Sequence, residues 1–197
     1  LSRLPIEDPM VGLPGDDSDE QARYVEATIN GVRIASIYLP NGNPVDTEKF
    51  PYKIRWMKRL YARAAELAAT GDAVALLGDY NVIPTDEDCY DPRAWDGDAL
   101  TRPESRAEYR SILNLGYYDA FRAAKPNAPA AYTFWDYQAG AWQKDNGIRI
   151  DHVLLTGAAL DRMTDSDIDR RPRGRPKASD HTPIWCDLAD APPTPRL

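Results

Sequence analysis

Cysteine is nearly absent: Cys89 and Cys186 are the only two in 197 residues. Two thiols cannot make a disulfide framework, and with no signal-peptide pattern at the start they point to a reducing cytoplasm. No apolar run approaches the length needed to span a membrane. An excess of positive charge is also missing, since 24 Lys and Arg face 31 Asp and Glu for a net charge of −7. That argues against a protein that coats nucleic acid non-specifically, although a site built from aspartates can still bind phosphate through a metal. No internal repeat is present, and the first residue is leucine rather than methionine. Leu1-Ser2-Arg3-Leu4 resembles the interior of a strand, so the chain reads as a fragment.

Ordinary globular composition remains, with 43% hydrophobic residues, 17 prolines and 12 glycines. The length suits one domain, expected over residues 1–190, with the proline-rich residues 191–197 as a frayed tail. Residues 6–20 are rich in acids and glycine and read as a solvated loop. Two alternating segments, 24–29 and 32–39, flank Asn30-Gly31, the strongest short signal for a hairpin. Apolar residues at helical spacing from Tyr52 to Thr70 predict a helix covering the sheet, with Gly71 as its C-terminal cap. The run Val74-Ala75-Leu76-Leu77 predicts a buried strand ending in Gly78-Asp79-Tyr80-Asn81, with Asp79 and Asn81 on one side at its carboxyl end. Thr101-Arg102-Pro103-Glu104 has capping-box spacing and opens a second helix that ends near Gly116. Segments 132–137, 148–155 and 182–188 are further strand candidates, which gives an α/β fold.

Three separated stretches end apolar strands with acids: Gly78-Asp79-Tyr80-Asn81, Ile150-Asp151-His152 and Ser179-Asp180-His181. Each alone is an ordinary turn. Three strand ends presenting Asp, Asn and His suggest one convergent site.

Tyr38-Leu39-Pro40-Asn41-Gly42, Gly78-Asp79-Tyr80-Asn81, Tyr132-Thr133-Phe134-Trp135, Arg149-Ile150-Asp151 and Ser179-Asp180-His181 resemble, in order and approximate spacing, the motifs of the endonuclease/exonuclease/phosphatase superfamily. Within it they are most similar to the exodeoxyribonuclease III family of abasic-site endonucleases. The resemblance implies a four-layer α/β sandwich, with two mixed sheets face to face and helices outside. It implies a hydrolase that cuts DNA phosphodiesters with Mg2+, or with Mn2+ in its place, as a 3′-to-5′ exonuclease and beside abasic sites. A monomer acting on double-stranded DNA is expected. The family also begins with a segment, carrying a metal-binding glutamate, that has no counterpart here, so the domain is expected to be incomplete at its amino terminus.

Phosphodiester hydrolysis needs neutralised phosphate charge, an activated water and a stabilised leaving oxygen. Asp180 is a candidate ligand for Mg2+, and Asp79 is the candidate to orient or deprotonate water, with Asn81 hydrogen-bonding water or phosphate. The resemblance also offers Asp79, Asn81 and His181 as metal ligands. Asp151 is expected to fix the tautomer of His181 and favour its imidazolium, while His152 reads as a solvated histidine. Tyr38 can donate its phenolic hydrogen to phosphate or leaving group, with Asn41 at the same lip. Phe134, Trp135, Ile148, Arg149 and Ile150 are the expected substrate-binding group, with Phe134 facing the site and Trp135 the core. Arg170, Arg171, Arg173, Arg175 and Lys177 form a basic loop, either a clamp on the DNA backbone or a solvated segment. The competing functions are a phosphodiesterase acting on a lipid or inositol phosphate, and a non-catalytic nucleic-acid-binding module.

Overall fold

Asn30 and Gly31 adopt left-handed backbone, at φ 50° and 70°, as a two-residue hairpin turn requires. They join β2 (Tyr24–Ile29) to β3 (Val32–Tyr38) in antiparallel register from Ile29↔Val32 to Tyr24↔Ile37. The computed structural model describes residues 1–190, so the expected tail lies outside the described residues. Ahead of the hairpin, β1 (Glu7–Val11) pairs antiparallel with β2 across a bulge. This corrects the expected loop over residues 6–20 at its start, while residues 12–20 form no helix or strand. An exposed edge strand tolerates Glu7 and Asp8 because its outer side faces water, and Asp8 takes the bulge at φ 47°. Residues 1–4 form no strand.

The helix α1 (Lys49–Ala69) starts three residues earlier than its periodicity suggested and ends at Gly71, whose φ of 75° lets its N–H reach the Ala68 carbonyl. Its face of Trp56, Met57, Leu60, Ala64 and Leu67 is buried against the sheet. At roughly 2 kcal/mol for each large apolar side chain, this packing outweighs intrinsic helix propensity. The chain returns through β4 (Val74–Asp79), which runs parallel to β3. Gly78 makes that pairing possible: a Cβ there would lie 2.0 Å from the Ile37 carbonyl oxygen.

Next come α2 (Pro103–Leu113), β5 (Tyr117–Asp119), α3 (Ala120–Ala124), α4 (Ala141–Lys144), β6 (Asp151–Thr156), α5 (Gly157–Leu160), β7 (Met163–Ile168) and β8 (Ile184–Leu188). The capping box at Thr101 does not form. Its hydroxyl bonds the Trp95 and Asp98 carbonyls instead, and proline at the first helical position starts α2. Residues 132–137 contribute only bridges at Phe134 rather than a strand.

Six strands form one mixed sheet in the order β1-β2-β3-β4-β6-β5, and β7-β8 form a separate antiparallel pair. Alternation along β4 separates two cores. Val74 and Leu76 pack with α1, whereas Ala75 and Leu77 face the opposite side with Val153, Leu155, Met163 and Ile184. Asp79 is in step with Ala75 and Leu77, so its carboxylate leaves the sheet on the side away from α1. No helix among the described residues is long and apolar enough to cross a membrane.

Candidate active site

Three neighbouring strands put Tyr38, Asp79 and Asp151 in one row, because the register pairs Tyr38 with Asp79 and Asp79 with Asp151. Strands in a sheet lie about 4.8 Å apart, and side chains paired across them leave on the same face. A phenol and two carboxylates therefore stand side by side at the end of the sheet. The fourth member arrives from another part of the chain. Segment 132–135 is held between two others: Phe134 bridges both Ile148 and His181, and the Trp135 N–H donates to the Asp180 carbonyl. This lays His181 beside the row, with Nδ1 2.8 Å from Asp151 Oδ2.

Burial and the adjacent Asp151 charge push the Asp79 carboxyl up to about 7, only partly opposed by the Asn81 N–H and by His181 and Lys53. Two like charges this close cannot both ionise without cost. Asn81 lies two residues past the end of β4 in left-handed backbone at φ 46°, and the turn brings its side chain back onto Asp79. Its backbone N–H reaches Asp79 Oδ1 at 2.8 Å, and its carboxamide donates to Asp79 Oδ2 and to the Leu39 carbonyl, each at 2.9 Å. Its Oδ1 accepts from Asn41 Nδ2 at 2.9 Å. Both carboxamide hydrogens are thus spent inside the protein, which differs from the expected contact with water or phosphate. Asn81 orients Asp79.

Burial alone would lower the His181 pKa, but the hydrogen bond and charge of Asp151, with Asp79 and Asp180 adding to it, raise it above the ordinary histidine value. The ring is therefore biased to imidazolium, with Nε2–H free to donate. In this arrangement Asp151 holds Nδ1, which leaves Nε2 as the ring atom facing outward. Phe134 stacks edge-on against this ring at 5.1 Å. Asp180 is half-buried, with a single long contact from the Ser179 hydroxyl at 3.4 Å. Tyr38 is 54% exposed, with Arg23 over its ring.

The remaining expected substrate-binding side chains do not reach the surface. Trp135 is fully buried against Tyr132 and Trp142, and Ile148 and Ile150 are buried behind partly exposed Phe134. Arg149 is 2% exposed and donates to Asp88 at 2.8 Å and to Asp119 at 2.6 Å, so the expectation that it meets substrate is corrected. A guanidinium between two carboxylates is held by them. His152, expected in solvent, is fully buried because it lies one step from Asp151 and so on the α1 side of β6. Its Nδ1 accepts from Arg149 and its Nε2 donates to the Val82 carbonyl. The basic loop is largely used up as well. Arg170 pairs with Asp145 and stacks on Trp135, Arg171 pairs with Asp169, and buried Arg173 donates to the Trp135 carbonyl. Arg175 and Lys177 remain exposed.

Two residues that sequence reasoning did not single out support the site. Thr133 is fully buried, and its hydroxyl accepts from the Ile150 and Asp151 N–H groups at 3.1 Å each. Lys53 is fully buried beneath the loops after β3 and β4, and burial pushes its pKa down to about 7 against the pull of Asp98 and Asp79. In the sequence Thr133 stands only as a member of the Tyr132-Thr133-Phe134-Trp135 motif, with no role of its own. Lys53 carries a signal: it shares the apolar face of α1 with Trp56, Met57 and Leu60, where a charge needs a reason.

Residues 1–181 match the Endonuclease/Exonuclease/phosphatase family. Among solved structures, the Neisseria protein described as "3′ phosphatase NExo (D146N) bound to product DNA hairpin" is 34% identical, with a TM-score of 0.91 over 95% of this chain and 72% of its own. An AP endonuclease from Archaeoglobus fulgidus is 33% identical, with a TM-score of 0.88 over 94% of this chain and 72% of its own. Exodeoxyribonuclease III of Haemophilus influenzae is 29% identical over 188 residues, covering 90% of this chain and 70% of its own length. Two further curated relatives are matched over 66% and 56% of their own length. With a family match over nearly its whole length, the chain belongs to the Endonuclease/Exonuclease/phosphatase family.

Proposed function

We propose that this chain is the catalytic part of a DNA repair nuclease that hydrolyses phosphodiesters, as a 3′-to-5′ exodeoxyribonuclease and beside abasic sites. The observation that carries the reading is the row Tyr38, Asp79, Asp151 ending on His181. It agrees with the relatives, which are described as an exodeoxyribonuclease, an AP endonuclease and a 3′ phosphatase crystallised with DNA.

The donor set fits a hard divalent cation, Mg2+ first and Mn2+ second. Among the described residues no three acids, histidines or cysteines cluster as a complete cage. Mg2+ does not need one, since it takes one or two carboxylates and fills its shell with water and phosphate oxygens. Asp79 and Asp180 are the carboxylates that would hold the ion, with the second lone pair of Asn81 Oδ1 nearby. When bound, such a cation neutralises phosphate charge and stabilises the leaving oxygen.

The protein's own groups do the rest. Asp79, with both oxygens aimed by Asn81, takes a proton from the attacking water. His181, held by Asp151, donates Nε2–H to a phosphate oxygen as negative charge builds there. Tyr38 donates its phenolic hydrogen to the phosphate or leaving group, and Phe134 supplies an apolar wall where a base is missing. Arg175 and Lys177 are left to contact the DNA backbone. The same reading makes β7-β8 part of a second sheet facing the first, hence a four-layer sandwich in one domain over residues 1–190. It places a monomeric enzyme in a reducing cytoplasm, where Cys89 and Cys186 stay free.

The test is to incubate the full protein with duplexes carrying an abasic analogue or a recessed 3′ end, and separately with inositol phosphates, with Mg2+ and with chelator. Incision at the abasic analogue and shortening from the 3′ end, both stopped by chelator, are expected. Hydrolysis of inositol phosphates with DNA left intact would overturn the reading.

A further inference from the structure

Among the described residues Lys53 is the one fully buried lysine, and its Nζ spends its three hydrogens on three backbone carbonyls from three segments: Asn41 at 3.1 Å, Asn81 at 2.7 Å and Ala99 at 3.1 Å. No carboxylate bonds it. These carbonyls belong to the turn after β3, the turn after β4 and the loop before α2, so one α1 side chain ties three segments together, beside the apolar packing of Phe50 on Ala99 and Leu100. The turn after β3 is shaped around the lysine, because a Cβ at Gly42 would lie 2.7 Å from Lys53 Cδ. Asn41 and Asn81 are joined again on their far side by the 2.9 Å bond between their carboxamides. Asn81 is therefore clamped at both ends, by Lys53 at its carbonyl and by Asn41, Leu39 and Asp79 at its side chain.

We infer that Lys53 is a positioning residue: by holding the Asn81 carbonyl it fixes the left-handed turn from which Asn81 grips the Asp79 carboxylate. If the position only filled space, methionine, of similar length, would serve beside Trp56, Met57 and Leu60. Instead the position carries a donor for each of three carbonyls that burial would leave unpaired. Because Lys53 is enclosed, it has no surface to offer DNA. Its loss reaches the reaction through geometry, and a misplacement of about 1 Å in a catalytic group costs on the order of 100-fold in rate. The inference rests on the nuclease reading for its kinetic part alone.

The experiment compares Lys53→Met and Lys53→Gln with wild type in the full protein, by single-turnover cleavage, DNA affinity in chelator, and residue-resolved amide hydrogen exchange. The Asn81 N–H donates to Asp79 Oδ1, so its exchange reports the contact directly. Expected for Lys53→Met are a cleavage rate lower by about 10- to 100-fold, affinity within about twofold, and faster exchange at Asn81 with the β2-β3 hairpin unchanged. Lys53→Gln, which keeps an amide donor but cannot serve three carbonyls, should fall between, and it decides the matter by the same readouts if the methionine variant does not fold. Unchanged exchange at Asn81, or exchange that speeds equally throughout the protein, would overturn the inference. If wild type itself cleaves no DNA, the nuclease reading falls, while the exchange data still decide whether Lys53 positions Asn81.

Discussion

Thr133→Val is the sharpest perturbation of the scaffold beneath the site. The two side chains have nearly the same shape, so the exchange removes one oxygen and little else. The backbone bonds of Thr133, to the Ile148 carbonyl and from the Thr182 N–H at 2.8 Å each, are untouched. What is lost is the shared acceptor for the Ile150 and Asp151 N–H groups. The ladder cannot take over the Asp151 N–H. Tyr80 N–H already bonds the Ile150 carbonyl, which makes Asp79↔Asp151 a non-hydrogen-bonded pair and turns the Asp151 N–H away from β4. Each buried donor left unpaired costs about 1–3 kcal/mol, so the pair should cost about 2–6 kcal/mol. For a chain of this size that is a fall in Tm of roughly 4–24 °C. Thr133→Ser keeps the oxygen, loses a methyl group and should cost about 1 kcal/mol.

Urea denaturation of the three proteins, with a common m value, measures the difference directly. The Val variant should also cleave DNA more slowly than the Ser variant, because Asp151 starts from the residue whose N–H has been orphaned. A Val variant within 0.5 kcal/mol of wild type, or a Ser variant as unstable as Val, would refute the reasoning.

Other consequences can be measured separately. Asp79→Asn should lower turnover at least about 100-fold, the scale of a lost general base, while affinity for DNA in chelator holds or tightens because a negative charge beside phosphate is gone; near wild-type turnover would remove Asp79 from the chemistry. Asp151 and His181 are joined by a 2.8 Å bond, and under the proposed reading the double alanine variant should be little slower than either single one; additive losses in the cycle would show independent roles. Arg149→Met should destabilise by about 3–5 kcal/mol, because Asp88 and Asp119 would stay buried without their partner, and urea titration at pH 7 reads this. Acid should weaken the same network. Burial would raise the Asp88 pKa, but Arg149 and Arg122 hold it at about 2, below its ordinary value, so its contribution is present above about pH 4 and lost as pH falls through 2. A loss of about 2 kcal/mol between pH 4.5 and pH 2 in wild type, much reduced in Arg149→Met, is the expected result, and an equal slope in both proteins would sink the assignment.

What could be read in the chain was what repeats or punctuates. Asn30-Gly31 names its own turn, and the apolar spacing of α1 and the buried run of β4 are dictated by the period of each element. The acids at the ends of β4 and β6 were legible for the same reason, since alternation places Asp79 and Asp151 once the strands are known. β1 escaped because an edge strand need not hide its polar residues, and β5 because three residues carry no period. The substrate-binding group failed for a different cause. Neighbours on one segment divide between surface and core according to partners far away in sequence, so that Phe134 meets His181 while Trp135 is enclosed by Trp142, and Arg149 answers to Asp88, 61 residues distant. Asn81 shows the limit most clearly. Strand alternation put its side chain beside Asp79 and was right about the neighbour, yet the chain had already left the strand, and the contact is made through a left-handed turn. That turn is held from beneath by Lys53 and from beside by Asn41, 28 and 40 residues away in sequence, and periodicity within one element cannot report bonds of that range.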